Sequence, residues 1–238
     1  MPVLIEIFSW EGFAKEHLVP LAIGTSAASI MFTGVSSARA HHAKGGVMWP
    51  IVAAMAPGIV VGSLAGPQVA AALPPALMAA AFGAFIWFGA YRMLRNKPPV
   101  ASRKLPGRLG MAGMGALIGT IAGMVGTGGA FLAVPFMTRC NVRLHVAVGT
   151  SAAMSIPVAI FSSLGFVIAG WNKTGLPPYA LGYVYLPALV GIVITSTLLA
   201  PVGARMAHAW PVARLRYAFS AMLFCLGAYM WWKAWRLA

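Results

Sequence analysis

Leu109-Gly-Met-Ala-Gly-Met-Gly-Ala-Leu-Ile-Gly-Thr-Ile-Ala-Gly-Met-Val-Gly-Thr-Gly-Gly-Ala-Phe-Leu-Ala-Val-Pro-Phe-Met137 runs for twenty-nine residues without an ionisable side chain. A helix crossing the hydrocarbon core of a bilayer takes about 20 mostly apolar residues, so this stretch is long enough to span. Six further stretches meet the same criterion, at approximately 18–36, 48–72, 75–94, 146–170, 179–201 and 215–235. The expected fold is an all-α integral membrane protein with about seven transmembrane helices.

Composition leads to the same class. Of 238 residues, 60% are hydrophobic and 8% charged, whereas soluble domains carry about 25% charged residues. The only side-chain carboxylates are Glu6, Glu11 and Glu16. The chain therefore lacks a carboxylate dyad, an Asp-oriented triad, a carboxylate-ligated metal and a Walker B acid, which excludes the enzymes that need them. Coupling to Na⁺ or protons through a buried acid is disfavoured for the same reason. Cys140 and Cys225 are too few for a disulfide framework. The net charge of +14 falls mostly between apolar runs, where orientation and lipid headgroups account for it without nucleic acid.

With seven full crossings, one side carries Lys15, Arg139, Arg143, Arg205, Arg214 and Arg216, and the other carries the remaining eleven basic residues. Six of those eleven lie in Arg92–Arg108. That loop is expected in the cytoplasm by the positive-inside rule, together with the C-terminus, and the N-terminus is expected outside.

The chain repeats itself. Gly24-Thr-Ser-Ala-Ala28 recurs as Gly149-Thr-Ser-Ala-Ala153, Gly89-Ala-Tyr91 as Gly227-Ala-Tyr229, and Gly66-Pro67 more loosely as Ala200-Pro201. Pro2-Val-Leu answers to Pro135-Phe-Met137. The expected organisation is a tandem duplication: a first repeat over 1–95 with three spans, a basic cytoplasmic linker over 96–108, and a second repeat over 109–238 with four. The first repeat lacks most of its first helix, because Met1 stands where Val134 stands in the second. Two parallel four-span units would be related by an axis along the membrane normal.

Polar punctuation marks the candidate site. Gly119 and Gly123 have the spacing of close helix packing. Gly126-Thr-Gly-Gly129 suits a discontinuous helix, whose freed amides and positive dipole end could face an anion. Gly24-Thr25-Ser26 and Gly149-Thr150-Ser151 place two hydroxyls beside a glycine in each repeat. Those hydroxyls could donate to an anion or bond back to their own helix. His17, His41, His42, His145 and His208 show no metal-site spacing. His145 and the arginines Arg139 and Arg143 flank the glycine-rich span, where they could attract an anion or anchor the interface. Trp10, Trp171, Trp210, Trp231, Trp232 and Trp235 lie near span ends, as an aromatic belt requires.

Taken in order, Gly126-Thr-Gly-Gly129, Pro135, His145-Val-Ala-Val-Gly149-Thr-Ser151, Leu21-Ala-Ile-Gly24-Thr-Ser26 and Gly45-Gly-Val-Met-Trp49 resemble the sulfite exporter TauE/SafE family across residues 2–236. The resemblance implies an inner-membrane protein of about eight spans built from two repeats. It also implies outward movement of sulfite, sulfonates or related organosulfur anions. Carried over residue by residue, it implies substrate contact at Gly126, Gly128, Gly129, Thr150 and Ser151, and at Thr25 and Ser26 in the first half. Two departures stand out: the first glycine cluster is missing, and Pro20 occupies the place of His145. The expected partners are a small organosulfur anion and the lipid bilayer, without cofactor or nucleic acid, and with self-association left open. The alternative is a non-transporting scaffold or subunit derived from such a transporter. A membrane enzyme would need a histidine or cysteine mechanism, and neither residue type is clustered with partners.

Overall fold

The computed structural model describes residues 1–95, 104–209 and 211–237. The helices run α1 Pro2–Trp10, α2 Lys15–Ala43, α3 Trp49–Ala72, α4 Pro75–Arg95, α5 Arg108–Val125, α6 Ala130–Arg139 and α7 Leu144–Gly170. A small hairpin follows, β1 Ala180–Leu181 with β2 Val184–Tyr185, and then α8 Leu186–Ala209 and α9 Val212–Leu237. Among the described residues, α2, α3, α4, α5 and α7 are long and apolar enough to cross a membrane, while the apolar section of α8 is the shorter Leu186–Leu199. Most of the expected linker, including Lys97 and Arg103, lies outside the described residues.

Local chemistry sets the helix ends. Leu73 is extended at ψ 149°, as a residue before proline must be, which stops α3 and lets α4 start at Pro75. Gly126 takes a left-handed φ of 68° at the end of α5, and the Thr127 amide turns back onto the Ala122 carbonyl at 2.9 Å. Gly129, at φ 74°, then starts α6. Two left-handed residues within four are tolerable only because both are glycine.

Directions follow from which residues meet. Near the start of α3 the Met48 amide donates to Thr150 Oγ1 of α7 at 3.0 Å, and near its end Gln68 Nε2 donates to the Gly165 carbonyl at 2.8 Å. Helices α3 and α7 are therefore parallel. So are α3 and α5: Gly58, Gly62 and Gly66 meet the backbone of Ala112, Ala116 and Thr120 in turn. By contrast α2 runs against α7, with Gly24 at Phe166, Gly34 at Ser155 and Gly149 at His41. Helix α4 runs against α9, with Gly83 at Trp231 and the Trp87 indole donating to the Phe224 carbonyl at 3.1 Å.

Two cores result, one at each end. The first gathers Phe8 of α1, Leu18 and Leu21 of α2, Met78 of α4, Phe166 of α7 and Met230 of α9. The second gathers Ala38 of α2, Ile51 and Met55 of α3, Met111 of α5, Met137 of α6 and Ala147 of α7.

This geometry corrects two expectations. The stretch 109–137 is not one interrupted crossing. Helix α5 rises alongside α3, and α6 returns from Gly129, which lies against Ile118 and Ala122 of α5, to the end where α7 begins. That extra reversal makes α7 parallel to α5 and antiparallel to α2, so the parallel packing expected of two four-span units is not seen between these helices. The second correction concerns the C-terminal part of α9. Met230 and Ala234 pack with α1 and the start of α2, at the end opposite the α4–α5 connection. The described end of α9 and the Arg92 end of α4 therefore lie at opposite ends of the molecule.

Candidate functional site

Helices α1 and α6, of nine and ten residues, are each about 14 Å long at 1.5 Å per residue. That is roughly half the 30 Å of a hydrocarbon core. They point in opposite directions, and α6 begins in the middle of the molecule. Pro2 of α1 and Gly128, Gly129 and Ala130 at the start of α6 line the same cavity, of about 1420 Å³. The first amides of any helix lack an intrahelical acceptor, and its dipole places about half a positive charge there. Helix α6 thus aims its positive end into this cavity, and no carboxylate is among the residues described along its walls.

From this deep end the cavity follows α6 toward the α4–α5 end of the molecule. Its mouth there is formed by Arg92, Met93, Thr138, Val142 and Leu144. Between mouth and break, Phe131 projects from α6 against Phe85 and Phe88 of α4, with ring centroids 5.1 and 5.9 Å apart. Arg92 sits 6.0 Å from the Phe88 ring centre. The Thr127 hydroxyl is buried at the break and has no hydrogen-bond partner among the described residues.

The sequence-derived site residues separate into two groups. Gly126, Gly128 and Gly129 come together at the break, clamped between α2 and α7. Gly126 abuts Ile23, Gly128 abuts Ser155 and Ile30, and Gly129 abuts Val158. Thr25, Ser26, Thr150 and Ser151 do not line the cavity. Thr25 and Thr150 are fully buried, and each hydroxyl accepts a backbone amide at 3.0 Å, from Tyr185 and Met48 respectively. Beside them, Gly24 admits the Tyr183 carbonyl and Gly149 the Gly46 carbonyl. In both places a Gly-Thr pair holds the chain just before a long helix of the other half, α8 or α3. Ser151 donates to its own helix at the Val148 carbonyl, 2.8 Å away, and the Ser26 carbonyl accepts from Ser29 at 2.7 Å.

Sequence reasoning missed Thr127, although it sits inside the glycine cluster, and Arg92, which was counted only as an orienting charge. It missed the Phe85–Phe131–Phe88 group because phenylalanines in an apolar span carry no local signal. It also missed the pairing of Glu6. That carboxylate accepts from Tyr229 Oη and from Lys233 Nζ, the latter at 3.1 Å, tying α1 to α9. His17 is buried, with Nε2 3.0 Å from the Thr174 carbonyl and 3.3 Å from Glu16. Burial, aided by the Glu16 charge, pushes the neighbouring Tyr183 phenol above its ordinary pKa, so it stays neutral.

No solved structure matches the chain. Two curated relatives do. A "Probable membrane transporter protein" of Haemophilus influenzae is 30% identical over 98% of this chain and 89% of its own length. "Probable membrane transporter protein YdhB" of Bacillus subtilis is 25% identical over 83% of this chain and 78% of its own. The family model for the sulfite exporter TauE/SafE matches residues 1–230. A multi-pass helical protein with that match and those relatives belongs to the sulfite exporter TauE/SafE family and is a membrane transporter, not an enzyme.

Proposed function

We propose that this protein is a secondary transporter of small organosulfur anions such as sulfite or sulfonates, with the anion held at the Gly126–Gly129 break. The observation that carries this reading is the N-terminus of α6, which opens with the Gly126–Gly129 break onto a cavity whose described lining bears no carboxylate. A negative wall charge would repel the cargo, whereas the α6 end offsets about half a unit of charge without a counter-ion. Half-helices that meet at mid-depth are a recurring device of transporters built from inverted repeats. No ATP-binding motif is present in the sequence, which agrees with a secondary mechanism.

The same reading makes the chain a tandem pair of inverted repeats, 1–95 and 109–238, with seven long helices and two half-helices. Its support is the twin Gly-Thr clasps and a constant spacing in the second part of each unit. Pro50, Gly66 and Pro74 precede Pro187, Gly203 and Pro211 by the same interval, which aligns Gly66 with Gly203 and replaces the looser match to Ala200-Pro201. Charge agrees with this topology. One end holds Arg39 and Lys44, then Arg92, Arg95, Lys97, Arg103, Lys104 and Arg108, then Arg139 and Arg143, then Arg205, Arg214 and Arg216. The other end holds Lys15, Lys173, Lys233 and Arg236. Thirteen against four is a stronger bias than the eleven against six of the parallel arrangement. The positive-inside rule then puts the cavity mouth in the cytoplasm and the C-terminus outside the plasma membrane. Alkaline phosphatase fused after Ala238 should be active, and green fluorescent protein there dark.

Flux of labelled sulfite into proteoliposomes of the full chain tests the function. Saturable uptake competed by taurine and methanesulfonate, and not by acetate, is expected. Gly129→Leu should abolish it in protein that remains monodisperse, because a side chain there meets Ile118 at 3.0 Å and needs a left-handed backbone. Unchanged flux in that variant would remove the break from the transport path.

A further inference from the structure

Gly89-Ala-Tyr91 and its repeat Gly227-Ala-Tyr229 take no part in the break, and their two glycines receive different rings. Gly227 faces the Trp87 indole, which also donates to the Phe224 carbonyl at 3.1 Å, so it belongs to the seam between α4 and α9. Gly89 faces α6 instead, where a Cβ would meet the Phe131 ring at 3.1 Å. Glycine at this position leaves a notch in α4 that takes the edge of a ring from α6. Phe85 and Phe88 flank the notch, and both meet Phe131 edge to face.

The walls on the two sides of this contact are held differently. Helix α6 is locked to its neighbours: Gly128 abuts Ser155, Gly129 abuts Ile118, and Ala133 and Met137 are buried in the second core. The α4–α9 pair is fastened at the other end, where Met78, Phe82 and Met230 are buried in the first core. Among the described residues, neither α4 nor α9 contributes to the second core, and the ring contacts that cross the cavity are those of Phe131. Burying apolar side chains gives two helices no drive to associate in a membrane. The mouth half of the pair is therefore kept beside α6 by local packing such as this ring. A helix pair anchored at one end and latched at the other has the layout of a hinged wall. The path from the mouth at Arg92 to the break at Thr127–Gly129 runs past Phe131, so the latch stands in the passage.

Resting on the transport reading above, we infer that Phe131 seated on Gly89 is the gate between the mouth and the break, and that the α4–α9 pair is the wall that moves. The pair pivots about Met78, Phe82 and Met230. Movement away from α6 lifts Gly89 off the ring and widens the passage, and the return stroke reseats the ring and narrows it.

The test uses the full chain in nanodiscs with Cys140→Ala and Cys225→Ala. The thiol introduced by Ala130→Cys, at the exposed first residue of α6, reports access to the break through its rate of labelling by a charged methanethiosulfonate. Phe131→Ala should raise that rate about two- to tenfold, the shift of an open–closed equilibrium that loses an edge-to-face ring pair. Phe131→Tyr should keep the parental rate. Gly89→Val, which fills the notch, should raise the rate when Phe131 is present and add nothing in Phe131→Ala. Spin labels attached through Met93→Cys and Leu144→Cys, on opposite sides of the mouth, should lie further apart in Phe131→Ala. Equal labelling of the parent and Phe131→Ala, or an equal effect of Gly89→Val in both backgrounds, would overturn the gate. Unchanged spin-label distances would overturn the moving wall. Labelling needs no cargo, so absent sulfite flux in a protein with gated labelling would defeat the transport reading alone. If Gly89→Val does not fold, the contrast between Phe131→Ala and Phe131→Tyr still decides.

Discussion

At each end of the molecule a glycine and a threonine on a long central helix receive the backbone that leads into a helix of the opposite half. Gly24 and Thr25 hold Tyr183–Tyr185 ahead of α8, and Gly149 and Thr150 hold Gly46–Met48 ahead of α3. The two clasps match in residue type, distance and burial, yet the helices they hold have different fates. Helix α3 is covered: Gly58, Gly62 and Gly66 interlock with Gly115, Gly119 and Gly123 of α5, and Ile59 and Ser63 are fully buried. Helix α8 presents Val190, Ile194 and Leu198 at more than half exposure. Lipid tails are as apolar as leucine, so burying side chains gives no drive for two helices to associate in a membrane. What holds α3 to α5 is backbone approach through small residues. The face of α8 carries Thr195 and Leu199 where α3 has Gly58 and Gly62, so it lacks the small residues that let α5 approach α3.

The largest expected effect breaks that contrast. Gly58→Leu would drive a side chain into the Ala112 backbone, and overpacking against backbone should cost about 3 kcal/mol or more. Thr195→Leu, at the corresponding exposed position of α8, should be close to neutral. Thermal unfolding of both variants in detergent, followed by loss of the monodisperse peak, distinguishes them. Similar losses would show that α8 needs its surface as much as α3 does.

Next in size are the clasps. Thr25→Val and Thr150→Val keep side-chain shape but leave a buried amide without an acceptor, at a cost of about 1–3 kcal/mol each. If the two halves are equivalent, both should lower the melting temperature by similar amounts. Thr25→Ser and Thr150→Ser should restore it. A loss of sulfite flux in Thr150→Val without any loss of stability would point back to substrate contact at that hydroxyl.

How far the sequence could be read follows from these same residues. Gly119 and Gly123 announced close packing, and the break at Gly126–Gly129 was legible because two glycines around one threonine have few other uses in a span. The return of α6 was not legible. Ten residues of Ala130–Arg139 are apolar enough to continue a crossing, and only the contact of Gly129 with Ile118 reveals the reversal. The proposed sidedness turns on it, because one helix that turns back moves every later loop to the other end. Thr25 and Thr150 were ambiguous for a different reason. A repeated hydroxyl looks the same in sequence whether it meets a ligand or an amide, and only the geometry places Tyr185 and Met48 beside them.

The smallest expected effect concerns the two half-helices, which are held differently. Glu6 ties α1 to α9 through Tyr229 and Lys233, whereas α6 is held by packing of Ala133 and Met137 in the second core. Glu6 is about one-third exposed and Lys233 one-tenth, so the pair is worth less than about 1 kcal/mol after solvent screening. Glu6→Gln keeps the size and the hydrogen-bonding capacity toward Tyr229 while removing the charge. It should lower the melting temperature only slightly, and by less in high salt. Its effect on function should be larger than its effect on stability if α1 must move for the outer end to open. A pair that holds α1 in place would slow that step, and its removal should raise the rate of sulfite exchange. An unchanged exchange rate alongside the small stability loss would mean that the pair only anchors α1, and that opening uses another element.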